Sequence, residues 1–167
     1  MVQLHPNARI LIIGQAPGVR VHKVGAPFVD ASGDRLRAWM GVDETVFYDV
    51  EKVAVSPMGF CFPGLTTKGA DKPPRKECAP QWQARVEAAL TQVRLTILVG
   101  FYAQKSRLGA GAKANLTETV AHWRDYGPQT AVLPHPSWRN TAWLKKHPWF
   151  ERECLPDLKS RVAQALA

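Results

Sequence analysis

The sequence predicts an α/β fold, a three-layer α/β/α sandwich around a central four-stranded parallel sheet, in a single domain over residues 1–167. Three observations predict it. Four short runs are continuously apolar or β-branched and do not alternate, as expected of strands covered on both faces. Segments with helical spacing of apolar residues lie between them. The resulting order, β-α-β-α-β-α-β-α, is that of a parallel sheet with helices packed over it.

The first strand is Ile10-Leu11-Ile12-Ile13, ending at Gly14. A helix carrying Leu36, Trp39 and Met40 follows, opened by Ser32 or Asp34 and stopped by Gly41. The second strand is Val53-Ala54-Val55, ending at Ser56-Pro57. From about Pro80 to Val93 the spacing of Trp82, Val86, Ala89, Leu90 and Val93 predicts a longer helix with proline at its start. Leu95 to Val99 form the third strand, and a short helix follows Gly100. Asn115 or Thr117 caps a helix containing Val120 and Trp123. The fourth strand is Ala131-Val132-Leu133, ending at Pro134. Leu158, Val162 and Leu166 define a last helix over Pro156–Ala167 that packs on the sheet.

Apolar residues make up 46% of the chain, enough for a buried core. Lys and Arg number 22 against 14 Asp and Glu, a formal charge of +8 that favours a polyanionic partner through counterion release. Three widely spaced cysteines, Cys61, Cys78 and Cys154, form no CxxC pair, and no secretory leader is visible, so a reducing cytoplasm is expected. No window approaches the ~20 apolar residues that cross a bilayer. The segment from Phe60 to Pro80 breaks the α/β regularity. Its prolines, glycines and cations, among them Lys68, Lys72, Arg75 and Lys76, mark a long basic loop. It is either a solvated connector or a contact to a nucleic-acid backbone, through Lys68 and Arg75 in particular.

In open parallel sheets, ligands gather at the carboxyl ends of the strands. The first strand ends in Gly14-Gln15-Ala16-Pro17-Gly18, a stiff, sterically open loop whose backbone can approach a ligand. The last ends in Pro134-His135-Pro136-Ser137-Trp138-Arg139-Asn140, where prolines hold a histidine in a fixed, extended pose. Either loop alone is a weak signal. Together, at the ends of the first and last strands, they become specific.

The pair resembles the two signature motifs of the uracil-DNA glycosylase superfamily, Gly-x-x-Pro-Gly and His-Pro-Ser followed by a variable wedge. Gly25 to Gly33, with Pro27-Phe28-Val29, resembles the segment after the first motif in the iron–sulfur members. The resemblance covers nearly the whole chain and implies an enzyme that hydrolyses the bond between a damaged base and its sugar in DNA. Such a bond breaks toward an oxocarbenium sugar and a base anion, and both charges need groups already in place. By resemblance His135 donates to uracil O2, and Phe28 stacks on the extruded base, a contact worth roughly 1–3 kcal/mol. A core ring beneath the loop is the other reading of Phe28. Gly14, Gln15, Ala16 and Pro17 line the pocket. Ser137 and the backbone to Asn140 grip phosphates, and Trp138 or Arg139 fills the gap left by the flipped nucleotide.

The chain departs from the family pattern in three ways. Ala16 stands where the most active members carry an Asp that positions water. Gln15 can orient the water, and Asp30 is either the carboxylate acting beside it or a turn and helix-capping residue, with Asp34 as the expected helix cap. No Asn follows the second strand, so base selection is left to Ser56 or the backbone of Met58 and Gly59. Only Cys78 and Cys61 fall near cluster positions, so no iron–sulfur cluster, no other metal and no cofactor is expected. Lys23 is not expected to form a Schiff base, which makes the enzyme monofunctional. His122 and His147 are expected to be structural. The expected partner is uracil-containing DNA, single- or double-stranded, with no membrane contact, and the expected form is a monomer. The competing readings are a glycosylase for hypoxanthine or xanthine, and a DNA-damage binding module without activity.

Overall fold

A computed structural model describes residues 1–167. Four strands, β1 (Ile10–Ile13), β2 (Val53–Val55), β3 (Leu95–Val99) and β4 (Thr130–Leu133), form one parallel sheet in the order β2-β1-β3-β4. Ile10 stands opposite Val53 on one side and Leu95 on the other, and Val99 stands opposite Leu133. Every strand residue is buried except Thr96 and Thr130, which are half-buried. Continuous apolar runs thus became strands covered on both faces, as their composition required.

The helices are α1 (Val19–Val24), α2 (Ala31–Met40), α3 (Glu44–Tyr48), α4 (Cys78–Ala89), α5 (Phe101–Leu108), α6 (Leu116–Ala121), α7 (Thr141–Lys146) and α8 (Leu155–Leu166). From β1 the chain crosses one way to β2, then returns past β1 to β3 and β4. Right-handed crossovers therefore place α1–α3 on one face and α4–α6 on the other. The last helix, α8, packs against α2 and against β1 and β3, completing the first layer. Leu36, Trp39 and Met40 of α2 are buried there with Leu158 and Val162 of α8, and Trp39 meets Phe150 edge-on at 5.0 Å. No helix is long and apolar enough to cross a membrane.

Several boundaries differ from the sequence expectation. Asp30, not Ser32 or Asp34, caps α2: its Oδ1 accepts the N–H groups of Ser32 at 3.0 Å and Gly33 at 3.2 Å. Asp34 lies in the first turn and pairs with Arg37 at 2.6 Å. The fourth helix starts at Cys78 and stops before Val93, because Leu90 leaves the helical region at φ −100, ψ 64. Asn115, not Thr117, caps α6 by accepting the Glu118 N–H at 2.9 Å, and Trp123 falls beyond that helix in a 3₁₀ turn. A π-helical turn over Phe150–Cys154 leads into α8.

Two buried glutamines tie strand ends to the helices that follow. Gln83 of α4 donates to the Pro57 carbonyl at 2.9 Å and accepts from the Ser56 hydroxyl at 3.4 Å. Gln104 of α5 donates to the Leu133 carbonyl at 2.8 Å, directly before Pro134 and His135. The strand order reverses at β1, so a crevice opens over the carboxyl ends of the sheet.

Candidate active site

The loops after β1 and β2 zip together at this crevice. The Met58 N–H donates to the Gly14 carbonyl and the Gly59 N–H to the Gln15 carbonyl, both at 2.9 Å. Gly14, Gln15, Ala16 and Pro17 then form one wall of a cavity of roughly 240 Å³, and His135, Ser137, Trp138 and Arg139 form another. Two loops 120 residues apart in sequence thus meet over one space.

The orientation of His135 is fixed on three sides. Its Nδ1 accepts the Ser137 N–H at 3.2 Å, and its carbonyl accepts from Asn140 Nδ2 at 2.7 Å. Its Cβ lies 3.6 Å from the point where a side chain at Gly100 would begin, and Gly100 holds φ +83. An accepting Nδ1 places the proton of the neutral ring on Nε2, which has no protein partner. Burial pushes the imidazole pKa below its ordinary value, while the carboxylates of Asp30 and Asp71 pull it back up. The neutral ring is therefore favoured at neutral pH, and His135 lines the cavity with its Nε2–H unpaired.

Phe28 also lines the cavity, half-buried, with its ring edge-on to Phe47 at 6.2 Å. It is the one residue other than glycine with positive φ, at 54°. Such a backbone costs of order 1–3 kcal/mol and persists only where neighbours hold it. Its carbonyl accepts from Arg37 Nη1 and from the Tyr48 hydroxyl, each at 3.2 Å. Burial raises the Tyr48 pKa, so the phenol stays a donor. A side chain at Gly33 would begin 1.7 Å from the Phe28 carbonyl oxygen, so only glycine permits this approach.

Helix α2 therefore organises both loops. Gly33 and Arg37 hold Phe28, while Arg35 reaches the other side, donating to the Ser137 carbonyl at 3.0 Å and to Thr141 Oγ1 at 3.4 Å. Asp30 caps this same helix and also lines the cavity: Oδ1 is used by the cap and Oδ2 is not.

The other expected residues lie as follows. Ser56 is fully buried, Met58 and Gly59 are buried, and none lines the cavity; Val55 and Pro57 do. The Met58 and Gly59 N–H groups are already used. Ser137 Oγ accepts the Arg139 N–H at 3.3 Å, and Asn140 braces His135 from outside the cavity. Trp138 is 73% exposed, with the Arg139 guanidinium 5.9 Å from its ring centre. Lys68 and Arg75 are exposed and form no ion pair. Lys23 on α1 is exposed and outside the cavity. His147 ends α7 and stacks on Trp143 at 4.4 Å, and exposed His122 ends α6.

Sequence reasoning missed Arg35, Gln83 and Gln104, whose roles arise only from tertiary contact. It also missed Asp71, which lines the cavity from the basic segment. The available signal was that Asp71 is the sole acid between Phe60 and Lys76. The three cysteines are dispersed, with Cys61 exposed, Cys78 half-buried and Cys154 buried, and no group of three or more His, Cys, Asp or Glu could hold a metal ion. The sequence matches the family model of the Uracil DNA glycosylase superfamily over residues 1–159.

Proposed function

The chain belongs to the uracil-DNA glycosylase superfamily, and on that premise we propose that it is a monofunctional uracil-DNA glycosylase. Membership gives a DNA glycosylase, a hydrolase of DNA repair that acts on DNA. The observation that carries the finer reading is the His135 imidazole, whose Nδ1 accepts the Ser137 N–H and whose Nε2 has no protein partner, lining the same cavity as the Phe28 ring. A planar base carrying a carbonyl offers a face for such a ring and an acceptor for such a donor.

In this mechanism the cationic surface engages the backbone and one nucleotide rotates into the cavity, with Trp138 filling the vacated space. The uracil stacks on Phe28. As the bond from sugar C1′ to uracil N1 lengthens, His135 Nε2–H donates to O2, where negative charge collects. Water oriented by Gln15, with the free oxygen of Asp30 nearby, adds to C1′. The products are free uracil and an abasic site, and no step calls on a metal or cofactor. The position of Lys23 outside the cavity supports hydrolysis without a Schiff base. A monomer in a reducing cytoplasm suits this reading, and the dispersed free cysteines support the compartment.

The test is uracil release from single- and double-stranded oligonucleotides, read by alkaline cleavage, beside duplexes carrying hypoxanthine or xanthine. Strands should break only after alkali, and His135→Ala should slow release by about 1,000-fold while DNA binding persists. Release of hypoxanthine or xanthine but not uracil would reassign the substrate. No release of any base would leave a binding module.

A further inference from the structure

The wall of the cavity that faces Gly18 is made by Asp71, and its placement is specific. A side chain at Gly18 would begin 3.6 Å from Asp71 Oδ2. Asp71 sits at the end of a small hairpin, bridged antiparallel to Leu65. The hairpin is closed by hydrogen bonds from the Thr66 N–H to the Ala70 carbonyl at 2.7 Å and from the Lys72 N–H to the Gly64 carbonyl at 2.9 Å. The Ala70 N–H adds a bond to Thr66 Oγ1 at 3.1 Å. The backbone that carries the carboxylate is therefore fixed.

The carboxylate itself is not. Asp71 forms no ion pair and accepts no hydrogen bond, although Lys72 is its neighbour and Lys68 and Arg75 lie on the same segment. Asp30, the other carboxylate in the cavity, gives one oxygen to its helix cap. Both acids line the same cavity as His135. The same segment also approaches Gly59, which lies beside the first loop: a side chain at Gly59 would meet Pro74 Cβ at 3.1 Å and Ala16 Cβ at 3.3 Å.

An unpaired carboxylate on a surface that binds a polyanion opposes binding of every phosphate near it. It favours catalysis only if the substrate becomes positive at that spot during reaction, which is the condition for selective stabilisation of a transition state. Resting on the glycosylase reading, we propose that Asp71 is a catalytic carboxylate that faces the sugar of the extruded nucleotide, stabilises the charge growing at C1′ and receives the proton of the attacking water. The C1′–N1 bond breaks with its electron pair leaving on the base. The water oxygen bonds to C1′, one of its protons passes to Asp71 and then to solvent, and the base anion takes a proton from solvent.

The experiment pairs single-turnover uracil release with binding to two abasic analogues in DNA, a cationic pyrrolidine and a neutral tetrahydrofuran. Asp71 is exposed, so Asp71→Asn does not threaten the core. The variant should release uracil about 100-fold more slowly. Its affinity for undamaged DNA should be unchanged or tighter, because a negative charge has been removed. The wild-type protein should prefer the pyrrolidine by about tenfold, and the variant should lose that preference. A rate within about threefold of wild type overturns the assignment, as does a pyrrolidine preference that survives the substitution or is absent from wild type. If wild type releases no uracil yet prefers the cation through Asp71, the substrate reading fails and the role of Asp71 stands.

Discussion

The two walls of the cavity are built on opposite plans. On the His135 side the polar groups are tied: Nδ1 to Ser137, the carbonyl to Asn140, the Ser137 carbonyl to Arg35. On the side of the Leu65–Asp71 hairpin the backbone is tied, but the charged side chains of Asp71, Lys68 and Arg75 extend without partners. The difference follows from what each wall meets. A base edge is a small target of fixed geometry, so a donor aimed at it gains from being held beforehand. Phosphates and a transient sugar cation supply their own charge, so the groups that meet them can remain unpaired until DNA arrives. The tied wall should therefore be sensitive to single-atom changes, and the untied wall tolerant in fold but sensitive in charge.

The largest break in that contrast is expected at Gly33. A methyl group there would start 1.7 Å from the Phe28 carbonyl, so Gly33→Ala must displace either α2 or the strained Phe28 backbone. We expect single-turnover release to fall about 100-fold and the thermal midpoint to drop by about 4–8 °C. Gly111→Ala, where an added Cβ meets nothing within 4 Å, should leave both unchanged and serves as the control. An unaltered rate in Gly33→Ala would show that Phe28 does not set the geometry of the cavity.

Asn140 sharpens the comparison from the other side. Its amide donates to the His135 carbonyl at 2.7 Å but does not line the cavity, so it acts through the histidine. Asn140→Ala should lower the rate at saturating enzyme by about tenfold, the value of one lost hydrogen bond of ~1.4 kcal/mol. Affinity for DNA should change little. Weaker binding with an unchanged rate would instead make Asn140 a phosphate contact.

The pH response tests the burial of the same ring. Burial lowers the folded pKa of His135 below its ordinary 6.5. As pH falls through that ordinary value, the unfolded chain takes up a proton that the folded protein refuses. The stability contribution is complete above the ordinary pKa, declines below it, and levels off once the folded ring is protonated. Thermal midpoints measured from about pH 7.5 to 5.5 should decline less steeply in His135→Gln than in wild type. Parallel curves would mean that the imidazole is not desolvated.

What the sequence disclosed divides along the same lines. The strands were readable because burial on both faces selects apolar and β-branched residues, so Ile10–Ile13 and Leu95–Val99 announce themselves. The loops carrying Gln15 and His135 were readable because proline and glycine mark them. Helices of five or six residues, such as α1 and α3, leave too little periodicity to be seen and depend on tertiary packing. The cap of α2 was misplaced because Asp30, Ser32 and Asp34 are all competent caps, and only the turn at Phe28 decides among them. Gln83 and Gln104 look like ordinary surface residues until the strand ends they brace are in place. Asp71 stands out in sequence only as the sole acid between Phe60 and Lys76, and its hairpin is what places it on the cavity.

The smallest effects are expected at the exposed cations of the untied wall. Lys68 and Arg75 have no partner to lose, so Lys68→Ala and Arg75→Ala should leave the thermal midpoint unchanged. Each should weaken binding only a few-fold, and by the same factor for uracil-containing and undamaged DNA, because a phosphate contact carries no information about the base. The slope of log affinity against log salt should shrink by about 0.9 for duplex DNA with each substitution. The rate at saturating enzyme should stay put, since neither side chain lines the cavity. A loss confined to uracil-containing DNA, or a salt slope that does not move, would mean that these residues do not meet the backbone, and Asp71 would then be the only group of that hairpin with a part in the reaction.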